Sequence, residues 1–311
     1  MPTNKLIRIG TRNSALAMWQ ARHIADMLAS AGYSVEIVDI ITIGDKILDR
    51  SLSKIGAKGV FTEELETMLR NGEIDIAQHS AKDLPSTLAE DLPLIAFTKR
   101  EAAHDVVLSL NPDFRLSSHE GAVVGTSSTR RRAMMTKAFP QHSLVEMRGN
   151  LQTRLEKLKS GACDAMILAY AGVHRMGMES YIVEHLPIET FTPAVGQGSV
   201  AIQCSSRLDS ALRAAIRQLC NDEKTEACLL AERHLLAQLD GGCSVPVYGH
   251  AYHQAEGIFL QAGVLGLRGE VDIKANGLGA DPEILGKIVA QELIDQGAQT
   301  LLQEIRTQLA S

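Results

Sequence analysis

The sequence has no apolar run near the roughly 20 residues that a membrane-crossing helix needs, which excludes a helical span. Aromatic residues make up only 4% of its 311 positions, too few for the stacked platforms that hold single-stranded nucleic acid. A field that would recruit nucleic acid is also missing: 31 Lys+Arg stand against 37 Asp+Glu, a net charge of −6. Five cysteines, at 163, 204, 220, 228 and 243, are an odd number with no C-x-x-C pair, which argues against a disulfide framework or a cysteine-rich zinc site. The ten histidines show no H-E-x-x-H spacing, so no metal is expected. No secretory or transit segment precedes the first apolar pattern, Leu6, Ile7 and Ile9, so a cytoplasmic location is expected, without nucleic-acid or membrane partners. What remains is 45% hydrophobic and 22% charged, enough for a sizeable core divided among two or three domains.

The first two-thirds of the chain alternates strand-like and helix-like segments. Lys5–Gly10 reads as a buried strand, followed by a helix over about 15–30 that Ser14 or Asn13 can cap and Gly32 can end. A strand at 35–43, a helix capped by Thr62 and a strand at 74–78 come next. Three more pairs follow: 122–125 with a helix from Ser128, 144–147 with a helix from Asn150, and 165–169 with a short helix. Repeated β-α units predict parallel strands with helices on both faces, an α/β class. After about residue 220 the pattern changes to a helix at 222–239, strands at 245–251, 258–265 and 270–275, and one closing helix at 281–308. That order predicts a small α+β unit. The charged stretch 45–59 fits no element and reads either as a solvated loop or as a flap over a site.

In open parallel sheets ligands gather beyond the carboxyl ends of the strands, so the β-to-α junctions form one candidate set. They are Thr11-Arg12-Asn13-Ser14, His79-Ser80-Ala81-Lys82-Asp83, Thr126-Ser127-Ser128-Thr129-Arg130-Arg131, Arg148-Gly149-Asn150 and 170–175, which ends in Arg175. Nearly all carry a hydroxyl or a cation, and helix N-termini already favour anions. Two cations 6 Å apart repel by about 3 kcal/mol at an effective dielectric of 20, so several in one cleft call for a polyanion. No G-x-x-x-x-G-K-[ST] or G-x-G-x-x-G run marks a nucleotide phosphate, and carboxylates are the better match. Successive helical residues lie about 100° apart, so Arg130 and Arg131 are expected at the cleft and Arg132 at the surface. Arg154, one turn beyond Asn150, shares the face of that residue.

Two residues point past binding. Asp83, among cations at a strand end, can support a cationic intermediate or relay protons, or it can cap a helix or pair with Lys82. Cys243 follows Gly241-Gly242, where backbone can approach a ligand closely, and its thiol can be an attachment point or an inert core group. The other four cysteines are expected in the core, and His79 is expected to be a hydrogen-bonded structural residue.

Together these motifs resemble the porphobilinogen deaminase (hydroxymethylbilane synthase) family. The resemblance runs in order through Ile9–Ser14, Thr42-Ile43-Gly44-Asp45, Lys58-Gly59-Val60-Phe61, His79–Pro85 and Gly125–Arg131. It continues through Arg148-Gly149-Asn150, Thr153-Arg154-Leu155, Pro193–Gly198 and Gly241–Pro246, and is weaker beyond. It implies two α/β domains like the lobes of a periplasmic binding protein, 1–99 with 198–217 and 104–193, plus a small α+β domain at 221–311 that carries the cofactor cysteine. It also implies a dipyrromethane cofactor joined to Cys243 by a thioether. Four porphobilinogen units would be added head to tail, each losing ammonia to an azafulvene, before hydrolysis releases linear hydroxymethylbilane. Ser80, Lys82, Asp83, Thr126, Ser127, Ser128, Arg130 and Arg131 would hold the cofactor. Arg12, Ser14, Lys58, Phe61, Arg148, Arg154, Arg175 and Gln197 would hold substrate or the growing chain, with Asp83 catalytic and the protein monomeric.

The sequence departs from the family pattern in two places. Ala102-Ala103-His104-Asp105 stands where Asp-Pro-Arg-Asp is usual, removing a rigid Pro and a fixed charge at an expected interdomain crossing. Thr129 stands where Leu is common. Two other classes share part of the pattern. A non-catalytic two-lobed polycarboxylate-binding protein has no use for Cys243 or Asp83. A cysteine acyltransferase needs a histidine that the motifs do not place near Cys243.

Overall fold

The computed structural model describes residues 5–42, 62–242 and 244–310. Its first sheet is built from β1 (Leu6–Arg12), β2 (Ser34–Ile40), β3 (Ile76–Ser80), β4 (Leu94–Phe97) and β10 (Val200–Cys204), in the order β2-β1-β3-β10-β4. Strands β2, β1 and β3 are parallel, while β10 runs antiparallel to both its neighbours. The second sheet takes β5 (Asp105–Ser109), β6 (Val123–Gly125), β7 (Ser143–Val145), β8 (Ala165–Ala169) and β9 (Ile182–His185), in the order β7-β6-β8-β5-β9. It repeats the same plan: β7, β6 and β8 are parallel and β5 opposes both its neighbours. The expectation of purely parallel sheets is therefore corrected to two mixed sheets. Each antiparallel strand belongs to a crossing, 98–104 leading from β4 into β5 and 186–199 from β9 into β10. Because β5 and β10 are reversed, their first residues arrive beside the last residues of the parallel strands: Asp105 pairs with Ala169 and Val200 with Ser80.

The helices form where the sequence supplies caps and an apolar stripe. Ser14 caps α1 (Ala15–Ser30), and Ala21, Ile24 and Leu28 bury its inner face on Ile7 and Ile9 of β1. Thr62 precedes α2 (Glu63–Asn71) without a side-chain cap bond, and Gly72 ends that helix in the left-handed conformation. Ser128 caps α3 (Thr129–Ala138) and Asn150 caps α4 (Leu151–Lys159); the short α5 (Tyr170–Arg175) follows β8 directly.

Beyond β10 lie α6 (Ser210–Cys220) and α7 (Glu223–Gln238). A three-stranded antiparallel sheet follows, β11 (Val247–Gln254), β12 (Gly257–Leu265) and β13 (Asp272–Gly279). The chain closes with α8 (Pro282–Asp295) and α9 (Ala298–Ala310). The single closing helix expected from the sequence is thus two, divided at Gln296-Gly297, where Gly297 takes φ +97 and leaves the helical region.

The C-terminal unit is packed onto both lobes. Leu229 of α7 joins Ala81, Leu84, Phe97 and Ala201 of the first lobe, whereas Tyr248 and Leu265 enter the core of the second. Buried Glu232 on α7 pairs with Arg100 of the first crossing at 2.5 Å and accepts the backbone N–H of Gly196, in the second crossing, at 2.7 Å. The crossings also bond directly, Glu101 N–H to the Gly198 carbonyl at 3.1 Å. Among the described residues no helix is long and apolar enough to cross a membrane.

Candidate active site

The turn after β3 is held from several sides. Ala81 and Leu84 are buried, so Lys82 and Asp83 stay half-exposed at the cleft. Gly196, at φ +77, lies against the Ala81–Lys82 backbone; a β-carbon there would stand 2.8 Å from the Lys82 nitrogen. Gln20 of α1 meets the Ser80 hydroxyl at 3.0 Å, and Arg233 of α7 donates to the Pro85 carbonyl at 3.2 Å. Asp83 shares a small pocket with Arg12, Ser14, Gln20 and Ser80. Behind it His79 is buried, its Nε2 lying 3.0 Å from Gln203 Oε1. The Gln203 amide donates to the Leu92 carbonyl, which leaves its oxygen to accept from His79. Burial pushes His79 down to about 4, so it is a neutral structural histidine, as the sequence suggested.

Across the cleft, the end of β6 supplies hydroxyls that each already accept one backbone hydrogen bond. Thr126 Oγ1 accepts from Ser128 N at 3.4 Å, Ser127 Oγ from Met147 N at 2.9 Å, and Ser128 Oγ from Arg131 N at 3.4 Å. Each keeps its O–H free to donate to an anion, since a hydroxyl that accepts retains its proton.

The two arginines meet a buried carboxylate. Asp105, 0% exposed, receives Arg130 Nη2 at 2.7 Å and Arg131 Nη2 at 2.8 Å. Gln197 donates to Asp105 at 2.8 Å and to the Ala103 carbonyl at 2.6 Å. Burial alone would raise the Asp105 carboxyl, but the Arg130 and Arg131 guanidinium groups hold it well below the usual carboxylate range. Arg130, 3% exposed, also donates to the Thr192 carbonyl at 2.8 Å and lies over the Phe191 ring, while its buried Nε has no partner. Arg131, 6% exposed, donates to the Ile167 carbonyl at 3.1 Å and keeps a buried Nε without a partner.

Further cations close the site. Arg154 Nε donates to the Gly149 carbonyl at 2.7 Å, and burial, then Arg131, push its guanidinium down to about 10. Arg148 has a buried Nη1 without a partner. Burial and Arg131 push Lys82 down to about 8, opposed by Asp83 and Asp105. Lys82 and Asp83 come from the first lobe and Arg131, Arg148 and Arg154 from the second, so the electrostatic coupling crosses the cleft. Arg132 lies half-exposed, 3.7 Å from Glu146, at the surface as expected. Arg175 donates to the Gly198 carbonyl at 2.7 Å and stacks on Trp19. Cys163, Cys204, Cys220 and Cys228 are buried thiols. Lys58, Phe61, Cys243 and the stretch 45–59 lie outside the described residues.

Strand-end reasoning passed over Asp105, Gln20, Arg233 and Arg306. Arg306 of α9 donates to the Asp240 carbonyl at 2.6 Å, holding the chain just before Gly241-Gly242. One signal was present for Asp105: an acidic residue opening the otherwise apolar run Asp105–Leu108.

Fold and site define a two-lobed α/β protein with a cation-walled cleft and with Asp83 on a turn among the cations. Residues 7–213 match the family model of porphobilinogen deaminase, dipyromethane cofactor binding domain, and residues 226–295 match that of porphobilinogen deaminase, C-terminal domain. The porphobilinogen deaminase of Cytophaga hutchinsonii is 49% identical over 309 residues, covering 99% of each chain. That of Desulfosudis oleivorans is 45% identical over 305 residues, 97% of this chain and 98% of the other. Among solved structures, the Bordetella pertussis BvgS VFT2 domain covers 73% of this chain and 91% of its own at a TM-score of 0.43 and 14% identity, too distant to bear on the site. The chain belongs to the porphobilinogen deaminase family, and it is a transferase of tetrapyrrole biosynthesis.

Proposed function

We propose that the chain condenses porphobilinogen units head to tail, with loss of ammonia, onto a dipyrromethane carried by Cys243, and releases linear hydroxymethylbilane. The observation that carries this reading is the position of Asp83, half-buried beside Lys82 and lining one pocket with Arg12, Ser14 and Ser80. The donor set fits the primer. Each pyrrole bears two carboxylates, and the site offers free hydroxyl protons at Ser127 and Ser128 together with buried, unpartnered nitrogens on Arg131 and Arg148. When bound, the dipyrromethane supplies the nucleophilic pyrrole carbon that begins the chain.

The protein groups then have separate tasks. Lys82, Ser80, Thr126, Ser127, Ser128 and Arg131 hold primer carboxylates, with Arg130 acting alongside them from its bond to Asp105. Arg12, Ser14, Arg148, Arg154 and Arg175, with Lys58, Phe61 and Gln197, hold substrate and the lengthening chain. Asp83 accepts from pyrrole nitrogens, stabilises positive charge there as ammonia departs, and assists the proton's removal. The three sheets support a division into 1–99 with 198–217, 104–193 and 221–311. The reading extends to a cytoplasmic monomer acting on porphobilinogen; the net charge of −6 supports the absence of a nucleic-acid partner.

Incubation with porphobilinogen tests the proposal. One ammonia per porphobilinogen consumed, with hydroxymethylbilane as product, is expected; intact porphobilinogen after incubation contradicts it and favours a binding protein. The same assay carries a pH signature. Lys82 binds its proton less tightly folded, at about 8, than at its ordinary 10.5. The apo protein therefore gains stability as pH rises across that interval, while carboxylate binding weakens as the ammonium is lost. Loading of the primer by apo protein incubated with porphobilinogen is expected to slow above about pH 8, and Lys82→Arg is expected to remove that limb.

A further inference from the structure

Trp19 is the chain's single tryptophan. It sits on α1 of the first lobe, and Arg175 ends α5 of the second. The Arg175 guanidinium lies 5.4 Å from the centre of the Trp19 ring, and His23, one turn further along α1, stacks on the same indole at 5.3 Å and 13°. Arg175 also donates to the Gly198 carbonyl at 2.7 Å, in the crossing that returns to the first lobe. The two helices meet closely: a β-carbon on Gly172 would stand 3.7 Å from Leu16. Among the described residues no carboxylate is within ion-pair distance of Arg175. Its charge is met at contact by a ring face and a neutral carbonyl, and burial disfavours that charge while the Glu101 carboxylate, beyond ion-pair distance, favours it.

Such a set of partners is strong enough to orient a guanidinium and weak enough to surrender it. A hydrogen bond to an ionised carboxylate is roughly twice as strong as one to a neutral acceptor and can be bidentate. We propose that Trp19 is a positioning residue that holds Arg175 in a latch between the lobes, from which a carboxylate of the lengthening chain takes it. Passage of Arg175 from the latch to the chain loosens α1 from α5, while the Glu101–Gly198 bond keeps the crossings joined. Arg175 therefore couples occupancy of the cleft to lobe contact. The inference rests on the reading of Arg175 as a chain-binding cation.

Acrylamide quenching of Trp19 fluorescence in the holoenzyme, together with steady-state kinetics, tests it. Porphobilinogen is expected to raise the quenching constant in wild type, and Arg175→Gln is expected to show the raised value without substrate. Trp19→Leu removes the competitor for the guanidinium, so KM is expected to fall about two- to fivefold with kcat unchanged, matching a cation–π contact of ordinary strength. Trp19→Phe keeps a ring face and is expected to restore the wild-type KM, and in an Arg175→Gln background Trp19→Leu is expected to change nothing further. Wild-type-like turnover in Arg175→Gln would overturn the chain-binding reading itself. Impaired Arg175→Gln with wild-type quenching, and a wild-type KM in Trp19→Leu, would leave that reading intact and overturn the latch. The Arg175→Gln quenching measurement decides even if Trp19→Leu does not fold.

Discussion

Replacing Asp83 by Asn is expected to remove nearly all turnover while leaving the cofactor attached and the fold intact. The amide matches the carboxylate in shape, so the turn anchored by Ala81, Leu84 and Gly196 has no reason to move. What is lost is the negative charge opposite developing positive charge, together with the capacity to take up a proton. Positioned acid–base groups contribute about 10²–10⁴-fold to rate, and kcat is expected to fall by that order with a smaller change in KM. The check is steady-state kinetics, with intact mass confirming the loaded cofactor and thermal melts confirming the fold. Wild-type-like turnover would remove Asp83 from the mechanism.

Asp105→Ala is expected to act on the whole site. Its carboxylate pairs with two arginines that are 3% and 6% exposed, and it also accepts from Gln197. Removing it strands both guanidinium groups in a desolvated setting, and breaking a buried ion pair from one side costs about 3–5 kcal/mol. The denaturation midpoint should fall accordingly, and purified protein should carry little cofactor because Arg131 and its neighbours no longer keep their arrangement. Denaturant melts and the fraction of loaded protein by mass are the readouts. A stable, fully loaded variant would show that Asp105 is not what orders the two arginines.

The contrast between Asp83 and Asp105 shows what could be read from the sequence. Asp83 follows a parallel strand, and the rule that ligands gather beyond the carboxyl ends of such strands finds it directly. Asp105 stands at the beginning of a strand, where that rule does not look. It reaches the same edge only because β5 runs backwards, a fact set by the pairing of Asp105 with Ala169, 64 positions away (169 − 105). Gln197 comes to the site the same way, three residues before the reversed β10 (200 − 197). The runs 105–109 and 200–204 are short and wholly buried, so they lack the alternation that marks a strand and its direction.

Helix starts were easier to read because their signals are local. Ser14, Ser128, Asn150, Asp222 and Asp281 all accept the expected backbone N–H. Gly297, an equally local signal, was passed over within an otherwise continuous apolar pattern. Side-chain partnering lay furthest out of reach. Spacing placed Arg130 and Arg131 at the cleft, yet nothing in it revealed that Arg130 bonds to Asp105 and Thr192.

The most direct measurement is the intact mass of the purified protein, with peptide mapping around Cys243. An added mass equal to two linked pyrroles, located on Cys243, is the predicted result. If the protein is purified without it, incubation with porphobilinogen is expected to install it. A Cys243 that stays unmodified after that incubation would contradict the account, and the cation-walled cleft would then belong to a protein that binds polycarboxylates without building them.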